Sequence, residues 1–173
     1  MKTAIINSDS YEKHNTGDGH PEQPKRVVAI KEKLRKRSDL IWEKPDNVPD
    51  DILAMTHSKK YIDNLKSAFP QKGLKFLDGD TVVSPDSKRA VFDAAGSTIR
   101  AIDGIEKNQF KNAFCLSRPP GHHAEKNKAM GFCCISNAGI ATNYLTSKYK
   151  YKKVACVDFD VHWGNGNYDV MRN

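Results

Sequence analysis

Short apolar runs alternate with longer stretches in which apolar residues return every three or four positions. The runs are Thr3-Ala-Ile-Ile6, Ala113-Phe-Cys-Leu116 and Val154-Ala-Cys-Val-Asp-Phe159. Each has strand length and is followed by polar or glycine-rich residues. Between them the helical period dominates. Pro24 suits the first turn of a helix in which Val27, Ile30 and Leu34 share a face. A second helix is predicted over Ser58 to Ala68, with Ile62, Leu65 and Phe69 inward. A third opens at Ser84-Pro85, a cap followed by a proline, and carries Val91, Ala94, Ala95, Thr98, Ile99, Ile102 and Ile105 on one face. A fourth runs near Asn137 to Tyr149. This alternation predicts α/β layering around a mainly parallel sheet flanked by helices. No repeat, linker or low-complexity stretch divides the 173 residues, which suit one domain.

Candidate chemistry concentrates in two segments. In Val157-Asp-Phe-Asp-Val-His-Trp-Gly-Asn-Gly166, strand alternation would send Asp158, Asp160 and His162 to one side. Burying two carboxylates and an imidazole there is expensive unless a metal accepts them, and that donor set suits zinc or iron. An acidic strand end facing solvent would read the same way. The second segment, Arg118-Pro-Pro-Gly-His-His-Ala124, follows an apolar run. Its rigid turn fixes the direction of two adjacent histidines, the residue type that handles protons near neutral pH. Alone, such a pair also fits an exposed loop. Gly131-Phe-Cys133 could wall an apolar site or belong to the core. Gly19-His-Pro-Glu-Gln-Pro-Lys-Arg26 groups rigid and ionisable residues before a helix, and its composition does not choose between a site and a capped helix start.

Charge and cysteine content narrow the setting. Lys and Arg number 28 against 21 Asp and Glu, giving +7. Such a field permits anionic partners, but the Lys148-Tyr-Lys-Tyr-Lys-Lys153 run lies in no nucleic-acid module and reads as a solvated helix end leading into a strand. No apolar run approaches the roughly 20 residues of a membrane helix, and the N-terminus is too polar for a signal peptide. A cytoplasmic protein with no membrane partner is expected. Its four cysteines, Cys115, Cys133, Cys134 and Cys156, form no CxxC pair and read as reduced thiols. Cys115 and Cys156 sit in apolar runs as small core residues.

Taken together, GHPEQPKR, HSKKYI, DGDTVVSPDS, RPPGHHA, GFC and VDFDVHWGNG occur in the order found in the zinc-dependent histone deacetylase superfamily. The set resembles its bacterial class II-like and acetylpolyamine amidohydrolase branch. RPPGHHA with DxDxHxGNG is the specific pair. The resemblance implies a three-layer arginase/deacetylase-like fold, with residues 1–173 as the N-terminal part of a single deacetylase-like domain that is incomplete at the C-terminus. It implies a zinc-dependent deacylase that hydrolyses the amide of acetylated lysine or an acetylated polyamine. Asp160 and His162 then match zinc ligands, His123 the general base, and His122 its neighbour that protonates the departing amine. Asp158 matches the carboxylate that orients His122, and Asn165 the partner of His123. Gly131 and Phe132 match the acyl tunnel wall, Asp78 a substrate-gripping rim carboxylate, and Arg26 an arginine behind the site. A structural K+ near Asp158, Asp160 and His162 is implied as well.

Two departures stand against the family pattern. Trp163 replaces a second histidine, so packing behind the metal should differ. The third zinc ligand and a tyrosine for the tetrahedral intermediate have no match in this chain, which points to a truncated or partial chain: a fragment of a longer enzyme, a truncated product, or half of a split enzyme whose partner is a C-terminal half chain or a homo-oligomer. The alternatives are a non-catalytic deacetylase-like binding module and a basic nucleic-acid-binding protein.

Overall fold

The structure, a computed structural model, describes residues 2–172. In chain order the elements are β1 (Thr3–Ile6), α1 (Ser10–Lys13), α2 (Lys25–Leu34), β2 (Leu40–Glu43), α3 (Asp50–Ala54) and α4 (Lys59–Ala68), followed by β3 (Lys75–Phe76), β4 (Val82–Val83), α5 (Ser87–Glu106), β5 (Asn112–Cys115), α6 (Asn137–Lys148) and α7 (Asn165–Met171). β1 lies between β2 and β5 and pairs with both in parallel, Thr3 opposite Leu40 and Asn112. β3 and β4 make a small antiparallel pair.

Apolar alternation in β1 works on both faces. Ile5 packs with Val27 of α2 and with Ala90 and Ala94 of α5. Ala4 and Ile6 pack with Ala101 and Phe110. A larger core joins Leu53, Ile62 and Leu65 to Val91, Ala95 and Ile99 of α5 and to Ile140 and Tyr144 of α6. Helix α5 therefore touches every part of the interior, as its long apolar face requires.

The predicted helices form, with local adjustments. Ser58 caps α4 by accepting the Tyr61 N–H, and Ser136 caps α6 by accepting the Gly139 N–H. Helix α5 begins at Ser87, because the Ser84 N–H is taken by the Ser87 hydroxyl at 2.7 Å in a turn ahead of the helix. Pro24 sits at the cap of α2 rather than inside its first turn. Ile30 and Ile105 face solvent at their helix surfaces instead of the core.

The clearest correction concerns residues 154–159, which form no strand. Their sequence is an apolar run of strand length, but β5 ends the order β2-β1-β5 and no ladder reaches them. Val157, Phe159 and Val161 are 82%, 95% and 92% exposed. Cys156 is exposed too, so it is no core residue. Lys148 does end a helix, hydrogen-bonded to Asp103 at 3.1 Å, but no strand follows it.

A buried polar network ties the N-terminal loop to the segment after β5. Arg118, 2% exposed, donates through Nε and an Nη to both carboxylate oxygens of Glu22 at 2.6 and 2.8 Å. His14 sits beside them, its Nδ1 2.7 Å from the Ser87 hydroxyl. Burial, reinforced by the positive Arg118, pushes the His14 imidazole down to about 3 from its ordinary 6.5. Between these values the unfolded chain binds a proton that the folded chain refuses, so stability falls as pH drops below 6.5. Unfolding by denaturant should show a loss of about 2 kcal/mol from pH 7 to pH 5 from this group. His14→Gln should flatten the slope, and an unchanged slope would place the acid sensitivity elsewhere.

Candidate active site

The loop beyond the carboxyl end of β5 carries both histidines, where open α/β sheets place their sites. Helix α7 fixes one of them. Its Gly166 lies against the His123–Ala124 backbone so closely that a Cβ would stand 2.4 Å from the Ala124 carbonyl oxygen. That contact brings Asn165 Oδ1 to 2.6 Å from His123 Nδ1. Asn165 Nδ2 in turn donates to Glu125 at 2.9 Å, which fixes the amide with its oxygen toward the histidine. His123 Nδ1 therefore carries the shared hydrogen, and in a neutral ring Nε2 is then the acceptor.

His122 is held in the same manner. Its Nδ1 is 3.1 Å from Asp158 Oδ2, and its carbonyl accepts the Asn167 N–H at 3.0 Å. Partial burial raises the Asp158 carboxyl, but the Asp160 N–H and the His122 imidazole outweigh it and hold it below the ordinary carboxylate value. The two imidazole rings stand 4.0 Å apart, centroid to centroid, and His162 lies 5.9 Å from His123.

Asp158, Asp160 and His162 are linked by local hydrogen bonds, although no strand forms to set them on one face. Asp158 accepts the Asp160 N–H, and Asp160 Oδ1 accepts the His162 N–H at 2.8 Å. Asp160 Oδ1 and His162 Nδ1 are 3.1 Å apart, close to the separation of neighbouring donors on a zinc ion with bonds of about 2.0–2.2 Å. The pair fits two corners of such a site. Among the described residues no group of three His, Cys, Asp or Glu is gathered to complete it. An open groove of about 650 Å³ borders the pair, lined by Cys156, Asp158, Trp163, Asn167 and Tyr168 among others. Trp163 is largely exposed and packs against Tyr168, ring centroids 5.6 Å apart.

On the other side of His123, Gly131 approaches the ring so closely that a Cβ would come within 2.5 Å of it. Phe132 follows, half-buried, with its ring edge on His20. Asp78 bends its own loop, accepting the Asp80 and Thr81 N–H groups at 3.1 and 2.7 Å. The arginine expectation needs correction: Arg26 is exposed, and Arg118 is the buried one. Only Arg118 has a buried carboxylate, Glu22, to offset its desolvation.

Sequence reasoning passed over Glu125 and His57. Buried His57 donates from Nδ1 to the Glu125 carbonyl at 3.0 Å and accepts the Ser136 N–H on Nε2 at 3.0 Å. Burial lowers its pKa, in keeping with a neutral ring. It staples the loop behind His123 to the start of α6. The HSKKYI motif was the available signal, but nothing in it shows which backbone groups the imidazole joins.

A family model of the histone deacetylase domain matches residues 20–173. The chain belongs to the histone deacetylase family. Among its relatives, an uncharacterized protein, slr0245, of Synechocystis sp. is 41% identical over 172 residues, covering 94% of this chain and 55% of the relative. A probable deacetylase of Methanothermobacter thermautotrophicus is 33% identical, covering 96% and 50%. The crystal structure of the HDA15 HD domain superposes with a TM-score of 0.89 at 31% identity, covering 98% of this chain and 50% of that one. This histone deacetylase family chain therefore has the arginase/deacetylase-like fold, and it spans about half the length of those relatives. No helix among the described residues is long and apolar enough to cross a membrane.

Proposed function

We propose that residues 1–173 form the N-terminal part of a single zinc-dependent deacylase domain that hydrolyses the amide of an acetylated lysine or polyamine. The observation that carries this reading is the pair of imidazoles 4.0 Å apart, one tied to a carboxylate and the other to an amide, beside the Asp160–His162 donors. Asp160 and His162 would hold the zinc, which would supply a water of lowered pKa and polarise the acyl carbonyl. His123 has Nδ1–H committed to Asn165, so its Nε2 is free to take the proton of the attacking water. His122, steadied by Asp158, is placed to deliver a proton to the departing amine. Gly131 and Phe132 wall the acyl chain, and Asp78 stands at the rim. A K+ ion beside Asp158, Asp160 and His162 belongs to the same reading. The four free thiols support a reducing cytoplasmic setting.

Catalytic zinc takes three protein ligands. Turnover therefore requires a further ligand, for which we propose a C-terminal half chain. The two-donor set also favours a second reading, a deacetylase-like module that captures acylated amines without hydrolysing them. Against nucleic acid, Lys148 of the basic run is spent on Asp103 and on the Tyr144 ring, 4.7 Å from its centroid.

Zinc titration tests the assignment. In whatever form the chain binds zinc, calorimetry should show one site that Asp160→Ala and His162→Ala each abolish, because neither donor alone holds the ion. Equal metal content in the wild type and both variants would remove the two residues from the ligand set.

A further inference from the structure

Phe132 occupies a backbone conformation that its side chain disfavours. Met130 and Cys133 exchange backbone hydrogen bonds at 3.0 and 2.9 Å, closing a tight turn over Gly131 and Phe132. The central residues have φ of +56° and +68°. Positive φ at both centres is the type I′ pattern, whose second position is the usual place of glycine. A bulky aromatic residue persists there only when surrounding contacts over-determine it, and such strain gathers at functional sites.

Two contacts from outside the turn do this. Thr81, 1% exposed, accepts the Phe132 N–H on its hydroxyl at 3.0 Å. The Thr81 N–H is fixed in turn by the Asp78 carboxylate at 2.7 Å. From the opposite flank, His20 sets its ring 4.7 Å from the Phe132 ring at an interplanar angle of 68°. That imidazole is itself clamped at both ends. Its Nδ1 accepts the Glu22 N–H at 3.1 Å, and its Nε2 lies 3.1 Å from the Asp80 carbonyl. Glu22 is the residue that Arg118 locks in place. On the inner side the same turn meets His123, because Gly131 lies against its ring.

We propose that Thr81 and His20 are positioning residues. They hold the Gly131–Phe132 turn in its strained form, and so fix both the aromatic wall and the His123 ring that the wall abuts. The proposal deepens the deacylase reading and takes its catalytic meaning from it. Neither residue touches a reacting atom. Thr81 acts through one hydroxyl and His20 through one ring face, which makes the roles separable from general stability.

Nuclear magnetic resonance on the 173-residue chain decides the matter without turnover or metal. Thr81→Val removes the acceptor at nearly constant shape, and Thr81→Ser retains it. In Thr81→Val the Phe132 amide should exchange with solvent at least tenfold faster, and the Phe132 and His123 ring resonances should move. The amides of β1 should stay in place. Thr81→Ser should restore the wild-type positions, and His20→Ala should displace the Phe132 ring signals. A Phe132 amide equally protected in Thr81→Val, or His123 resonances indifferent to both Thr81→Val and His20→Ala, overturns the proposal. Loss of protection throughout β1 would show a general structural role and would overturn it too. Because the readout is local, a failure of zinc binding counts against the deacylase reading and leaves this test intact.

Discussion

Purified alone, the 173-residue chain will release no acetate from an acetyl-lysine reporter above the blank. Two physical shortfalls lead to this result. The described residues gather only the two proposed zinc donors, Asp160 and His162, whereas a catalytic site uses three. The tyrosine that the resemblance expects to stabilise the tetrahedral intermediate has no match in this chain, and removing one such donor costs about a hundred- to a thousandfold in rate. The exposed Val157, Phe159 and Val161 add a physical symptom, since bare alternating apolar residues invite association. Adding the C-terminal half of a relative such as slr0245 should raise both turnover and the monodisperse fraction. A zinc-loaded, active and monomeric 173-residue protein would defeat this account, and would mean that an unidentified residue supplies the third ligand.

In a chain so completed, His123→Ala should lower kcat by about a hundred- to ten-thousandfold, the usual contribution of a general base. Zinc affinity should change far less, because the base acts on the water and not on the metal. Asn165→Ala should follow the same pattern with a smaller loss, since it removes the group that holds the Nδ1–H tautomer. Parallel collapse of zinc binding and turnover in His123→Ala would make His123 a ligand or a structural prop, and the proton-transfer role would fall.

Much of this was legible from residue order. The α4 span followed from the shared face of Ile62 and Leu65, and β1 from an apolar run with a polar sequel. The pairing of Asn165 with His123 came through resemblance, and the structure places those atoms 2.6 Å apart. What periodicity does not carry is company. Residues 154–159 make an apolar run of strand length, yet a strand exists only when a neighbour offers its ladder. Arg26 and Arg118 both lie in motif segments, and only tertiary burial shows which one Glu22 accepts. The strain at Phe132 was illegible for a related reason: a Gly-Phe pair is not a turn signal, and the contacts that enforce it come from Thr81 and His20, far away in sequence.

The position of β1 governs how the chain can fold as it is made. The middle strand of the sheet is also the first, and Thr3 must wait for Leu40 on one side and Asn112 on the other. No three-stranded ladder can close until Cys115 has left the ribosome, so Thr3–Ile6 wait on a strand made long after them before both of their edges are paired. Contacts between such distant positions raise the entropy of loop closure and slow folding. A tag or truncation at Thr3–Ile6 would therefore trouble the yield of soluble protein before it touched any chemistry.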